Sequence, residues 1–133
     1  APKLPPHVVA IKALDELKNR KLWQNGKHKF YYSSLTEILR VYIDGRWDIG
    51  ALEMTTDEII SALRDVELPH QSRSALIAIL RSADMVKFAK ATPDAEENEQ
   101  SFIDAYYFVE NTKIVAQEHN EDKRDISFET KIE

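Results

Sequence analysis

The chain has 133 residues, 43% apolar and 31% charged, with a formal net charge of −5 and no cysteine. That is the size of one domain, able to bury roughly two thirds of its unfolded surface without a disulfide or metal staple. The absence of cysteine excludes thiol catalysis, cysteine-ligated zinc and a disulfide framework, and it suits a reducing compartment.

Residues 1–6, Ala1-Pro2-Lys3-Leu4-Pro5-Pro6, read as a linker, because proline favours extended chain and no apolar core of a targeting peptide is present. No apolar run approaches the roughly 20 residues that a membrane-crossing helix needs. From His7 to Leu22, Val8, Ile11, Leu14 and Leu17 recur every three residues and Ala10 and Ala13 widen the stripe, which predicts an amphipathic helix. Trp23-Gln24-Asn25-Gly26 ends it in a turn. A second helix is expected over His28–Asp44, with Gly45 as its cap and Phe30, Tyr31, Leu35, Ile38, Leu39, Tyr42 and Ile43 on its apolar face. The stretch 46–52 then reads as a loop anchored by Trp47, Ile49 and Leu52.

Thr55-Thr56-Asp57-Glu58 has the capping-box pattern, with Thr55 as cap and Glu58 reaching back, and it starts a short third helix ending near Asp65. After Leu68-Pro69 a fourth helix begins at Gln71 or Ser72 and carries Leu76, Ile77, Leu80 and Ala83 inward. Met85–Phe88 either extends it or forms a short strand, since four residues do not separate the two periods. Thr92-Pro93-Asp94 opens a fifth helix, with Thr92 as cap, acidic residues near the positive end of its dipole, and an end near Val115. The expected architecture is all-α: about five helices in one compact domain over 7–117, followed by a charged, flexible tail over 118–133. Its middle block has the helix–turn–helix rhythm, and a strand at 85–88 would make that core winged-helix-like.

The four histidines fall in four separate segments, and no pair has the three- or four-residue spacing of helical metal ligands. Ser33-Ser34 and Ser72/Ser74 lack a nucleophile elbow, and Gly26, Gly45 and Gly50 build no phosphate-cradling loop. The residues therefore point to no enzyme, no metal and no cofactor. Charge is uneven: residues 1–50 hold 9 Lys/Arg against 5 Asp/Glu, whereas residues 91–133 hold 4 against 12. The acidic total argues against general nucleic-acid binding, while the basic front and acidic back suit different protein partners.

The most suggestive local feature is basic and aromatic: Lys27, Lys29, Tyr31 and their neighbours, preceded by Lys21 and Trp23. Cations and rings of this kind serve nucleic-acid strands or an anionic membrane surface. The favoured reading is structural: Phe30 and one or two of the tyrosines enter the core while the lysines stay in water. In Tyr106-Tyr107-Phe108 three consecutive rings cannot share one helix face, which makes Tyr107 a candidate interface residue. Lys21, Trp23, Lys27, Lys29, Tyr31 and Tyr107 are thus the candidate interaction surface. Arg73 and Arg81 would face DNA in a helix–turn–helix reading.

The runs Lys21-Leu22-Trp23, Lys29–Arg40, Tyr42–Trp47, Ala51–Ile59, Ala83–Lys90 and Ala105–Lys113 together cover much of residues 8–115. In them the chain resembles the cytoplasmic C-terminal domain of bacterial membrane proteins encoded beside MoxR-type AAA ATPases and von Willebrand factor A proteins, in Bat-type aerotolerance operons. The resemblance implies a non-catalytic docking domain on the cytoplasmic face of the inner membrane. It implies an upstream transmembrane anchor and an ATPase or von Willebrand factor A protein as partner. The rival expectation is a helix–turn–helix nucleic-acid-binding domain.

Overall fold

In a computed structural model, residues 4–115 are described, and five helices carry the fold: α1 Pro6–Asn19, α2 His28–Trp47, α3 Thr56–Ala62, α4 His70–Ala89 and α5 Ala95–Thr112. Single 3-10 turns, Trp23–Asn25 and Ala51–Glu53, sit before and after α2. The all-α expectation holds, and no strand occurs among the described residues. The expected tail 118–133 lies outside them. Of the expected linker 1–6, Pro6 is already the first residue of α1, where its missing N–H costs nothing.

α2 is the central helix and packs against α1, α4, α5 and the second 3-10 turn. Its apolar positions, Leu35, Leu39, Tyr42 and Ile43, are all at most 1% exposed. α1 runs antiparallel to it after the turn closed by Gly26, which takes φ 79°. Gly45 does not cap α2. The helix continues to Trp47, and the left-handed position falls on Asp48 (φ 57°). A Cβ on Gly45 would lie 3.1 Å from the Pro6 ring, so this glycine lets the start of α1 approach the end of α2. Long-range packing, rather than chain termination, explains its place.

α5 lies along α2 in the same direction. Tyr31 and Tyr32, at the start of α2, donate to the carbonyl and side-chain oxygens of Asn98, each at 2.9 Å. Near its far end the Tyr42 hydroxyl meets Thr112 Oγ1 at 2.8 Å, and Arg46 Nε donates to the Thr112 carbonyl at 2.7 Å. Asn98 and Thr112 are buried polar residues whose partners are supplied by α2, as buried polar groups require.

Thr55 and Glu58 form the expected capping box: each side chain accepts from the other's backbone N–H, at 3.2 and 2.8 Å. Thr55→Ala is expected to cost about 0.5–2 kcal/mol, readable as a lower midpoint in urea unfolding; an unchanged midpoint would mean that packing alone holds α3. The fifth helix departs from expectation at its start. Asp94, not Thr92, is the cap, accepting from Glu97 N–H at 2.8 Å. Met85–Phe88 is helical, so α4 runs 20 residues and a wing has no strand there.

Three arginines hold the connections. Arg40 donates to the carbonyls of Ala51 and Met54. Arg73 donates to those of Leu63 and Val66 at 2.9 and 2.7 Å, fastening the end of α3 to α4. Arg46 reaches α5 and lies 5.0 Å over the Trp47 ring. The side chain of Arg73 is therefore spent on carbonyls inside the fold. Arg81 is exposed and paired with Asp57 at 2.8 Å.

Candidate functional site

The six sequence candidates do not form one surface. Lys21, Lys27 and Lys29 are exposed, as the basic reading requires. Tyr31 is not: it is 2% exposed and its hydroxyl is committed to Asn98. Burial raises the pKa values of Tyr31, Tyr32 and Tyr42, so these hydroxyls stay protonated donors. Phe30, expected in the core, is instead 67% exposed. The reason is helical phase. Positions 33, 37 and 41, on the same side of α2 as Phe30, are all exposed, whereas the side carrying Tyr32, Leu35 and Leu39 is buried.

Lys21 and Trp23 come together across from α5. They line a small pocket of about 270 Å³ with Lys18, Phe102 and Ile103, and Lys18 Nζ lies 5.9 Å over the Phe102 ring. Lys21 takes φ 53°, a left-handed backbone that L-residues adopt rarely. Tyr107 is 56% exposed, one helical turn beyond the 46%-exposed Ile103. Its ring stands edge-on to Tyr106.

Lys29 belongs to another feature, an open groove of about 830 Å³ between α2, α4 and the second 3-10 turn. Its floor is formed by Tyr32, Leu80, Ala83 and Val86, all buried. Around that floor stand Leu52 (50% exposed), Met85 (55%) and Phe88 (75%), the last with Lys87 Nζ 5.3 Å over its ring. Lys29, Glu37, Glu53 and Lys87 complete the wall with charges of both signs.

No protein-family model matches the chain, and no curated protein or solved structure is significantly similar to it.

The groove's apolar walls escaped the sequence reading for identifiable reasons. Leu52 was expected to anchor a loop, but in that stretch it is Ala51 that is fully buried. Met85 and Phe88 stood in a segment of undecided type. The buried series of α4, Leu76, Ile79, Leu80, Ala83 and Val86, leaves Met85 and Phe88 off its stripe, and that offset is the signal that marks them as surface. Three large apolar side chains around one preformed concavity are costly to leave in water, whereas scattered ones are ordinary. Chemically, the groove can take an apolar face of a polypeptide and pair its flanking charges. Among the described residues, no group of three or more His, Asp or Glu is placed to hold a metal ion.

Proposed function

We propose that this chain is a non-catalytic protein-interaction domain that receives partners in the α2–α4 groove. The observation that carries the reading is the convergence of exposed Leu52, Met85 and Phe88 on a floor already shaped by core residues. Binding energy at such sites concentrates in a few large side chains that fill a complementary surface. The mixed-sign rim suits a polypeptide better than a polyanion, which would meet Glu37 and Glu53 there. The family resemblance extends the proposal to a cytoplasmic, membrane-side setting and a MoxR-type ATPase or von Willebrand factor A protein as partner. No helix among the described residues is long and apolar enough to cross a membrane. In this reading attachment comes from a segment upstream of the domain.

The test is affinity capture with the wild-type protein and with Phe88→Asp, each with and without nuclease. The expected result is recovery of an ATPase or von Willebrand factor A protein, insensitive to nuclease and lost with Phe88→Asp. For the isolated pair, Phe88→Asp is expected to weaken binding by about 30-fold or more, the equivalent of a hot spot of about 2 kcal/mol. The substitution should leave stability within about 0.5 kcal/mol, because the ring is largely in water. Recovery of nucleic acid that nuclease removes, with no protein partner, would reject the proposal in favour of the helix–turn–helix reading.

A further inference from the structure

A second large groove, of about 810 Å³, runs between α1 and α2 on a different side of the central helix. Its walls are Leu4, Val9, Ala13, Ile38 and Val41. Leu4 is 61%, Val9 43% and Val41 41% exposed, so the groove presents apolar surface along its length. Its charged members, Glu16, Arg20 and Glu37, come from the end of α1 and the middle of α2.

We propose that residues 126–132 of the same chain occupy this groove. The first ground is where α5 ends. α5 ends at Thr112, which is hydrogen-bonded to Tyr42 and Arg46; Tyr42 and the neighbouring Gly45 line the groove's other end. The second is length. The 11 steps from Val115 to Ile126 reach up to about 36 Å, whereas 14-residue α1 is only about 21 Å long. Any point of the groove is within range.

The third ground is pattern. In Ile126-Ser127-Phe128-Glu129-Thr130-Lys131-Ile132 the apolar residues occupy even positions, and Ser127, Glu129 and Lys131 alternate with them. An extended segment of that pattern has one apolar and one polar side, the shape that fills a groove between two helices. Ile126, Phe128 and Ile132 are also the only large apolar residues after Val115. This docking is independent of the α2–α4 groove and stands or falls separately from the proposed partner site.

The absence of cysteine makes the test clean. Ser127→Cys carries a single nitroxide label, on the polar side of the segment, in the full chain. Nuclear magnetic resonance then reads paramagnetic loss of amide signal. The expected result is loss at Val9, Ala13, Ile38 and Val41, with Phe88 and Ile103 spared, and recovery of the signals when Phe128→Ser and Ile132→Ser are added. These substitutions change no residue of α1 to α5, so the spectrum of the helices serves as an internal control. Loss spread evenly over the surface, or centred on the α2–α4 groove, overturns the proposal. So does loss that appears only between molecules in a mixture of labelled and isotope-enriched chains, which would make a second copy the occupant.

Discussion

Phe108→Ala is expected to destabilise the domain by about 3–5 kcal/mol, a large share of the roughly 5–15 kcal/mol available to a domain of this size. The ring is 1% exposed and stands at the end of the bundle where α5 meets the last turns of α2. Its centroid lies 6.0 Å from that of Tyr42 at an interplanar angle of 81°, and 6.1 Å from that of Trp47. Tyr42 and Trp47 are themselves edge-on at 5.9 Å, so the three rings form a closed cluster. Truncation would leave a cavity that two helices and a bulky indole cannot easily close. The comparison that gives the result meaning is Tyr107→Ala, one residue earlier on the same helix and 56% exposed, expected to change stability by no more than about 0.5 kcal/mol. Urea unfolding followed by tryptophan fluorescence measures both. Equal losses for the two variants would mean that the aromatic cluster is not the core that holds α5.

Alkaline unfolding should be steep. Tyr31, Tyr32 and Tyr42 all have pKa values raised by burial in the fold, where an unfolded tyrosine ionises near 10. Side-chain contacts between Tyr32 and Ser101 and between Tyr42 and Thr112 partly oppose the rise. A group with a raised folded pKa keeps its full contribution below the unfolded value and loses it as pH climbs. Above about pH 10 the unfolded chain gives up protons that the native chain retains. Each proton so retained removes about 1.4 kcal/mol of stability per pH unit. Circular dichroism, followed from pH 9 to 12, is expected to change in one transition, with the tyrosinate absorbance of the three buried rings rising in the same step. Tyr31→Phe should make the transition shallower, because one retained proton is lost. Three tyrosines ionising near pH 10 with the helical signal intact would contradict the buried α2–α5 seam.

The seam itself shows what sequence patterns convey and what they leave open. Helix periods, the Thr55–Glu58 box and the apolar stripes of α2 and α4 are local features, set by 3.6-residue geometry and by backbone groups needing partners at helix ends. They were legible for that reason. Phe30 and Tyr31 were both expected on the apolar face of α2, and only Tyr31 lies there, because adjacent positions on a helix differ by about 100° and both residues are aromatic. Only the neighbour decides which one enters, and here Asn98, 67 residues away from Tyr31, draws the tyrosine inward. Arg73 is similar: an arginine in the first turn of a possible recognition helix reads as a DNA contact until the carbonyls of Leu63 and Val66 are seen to claim it.

Of the candidate surface, the exposed lysines and Tyr107 were within reach of the sequence, since lysine avoids burial and three consecutive rings cannot share one face. The groove was not. Its floor comes from α2 and α4, and its exposed wall from Leu52, Met85 and Phe88, positions separated by more than 30 residues between Leu52 and Met85. What the sequence determined by itself was a cysteine-free, all-helical domain with the capping box of α3 and most of its buried faces, because each follows from interactions within a turn or two of chain. Which apolar residues were left over to shape a docking surface was decided only in the tertiary structure. A concavity exists between helices, and its lining depends on how they pack.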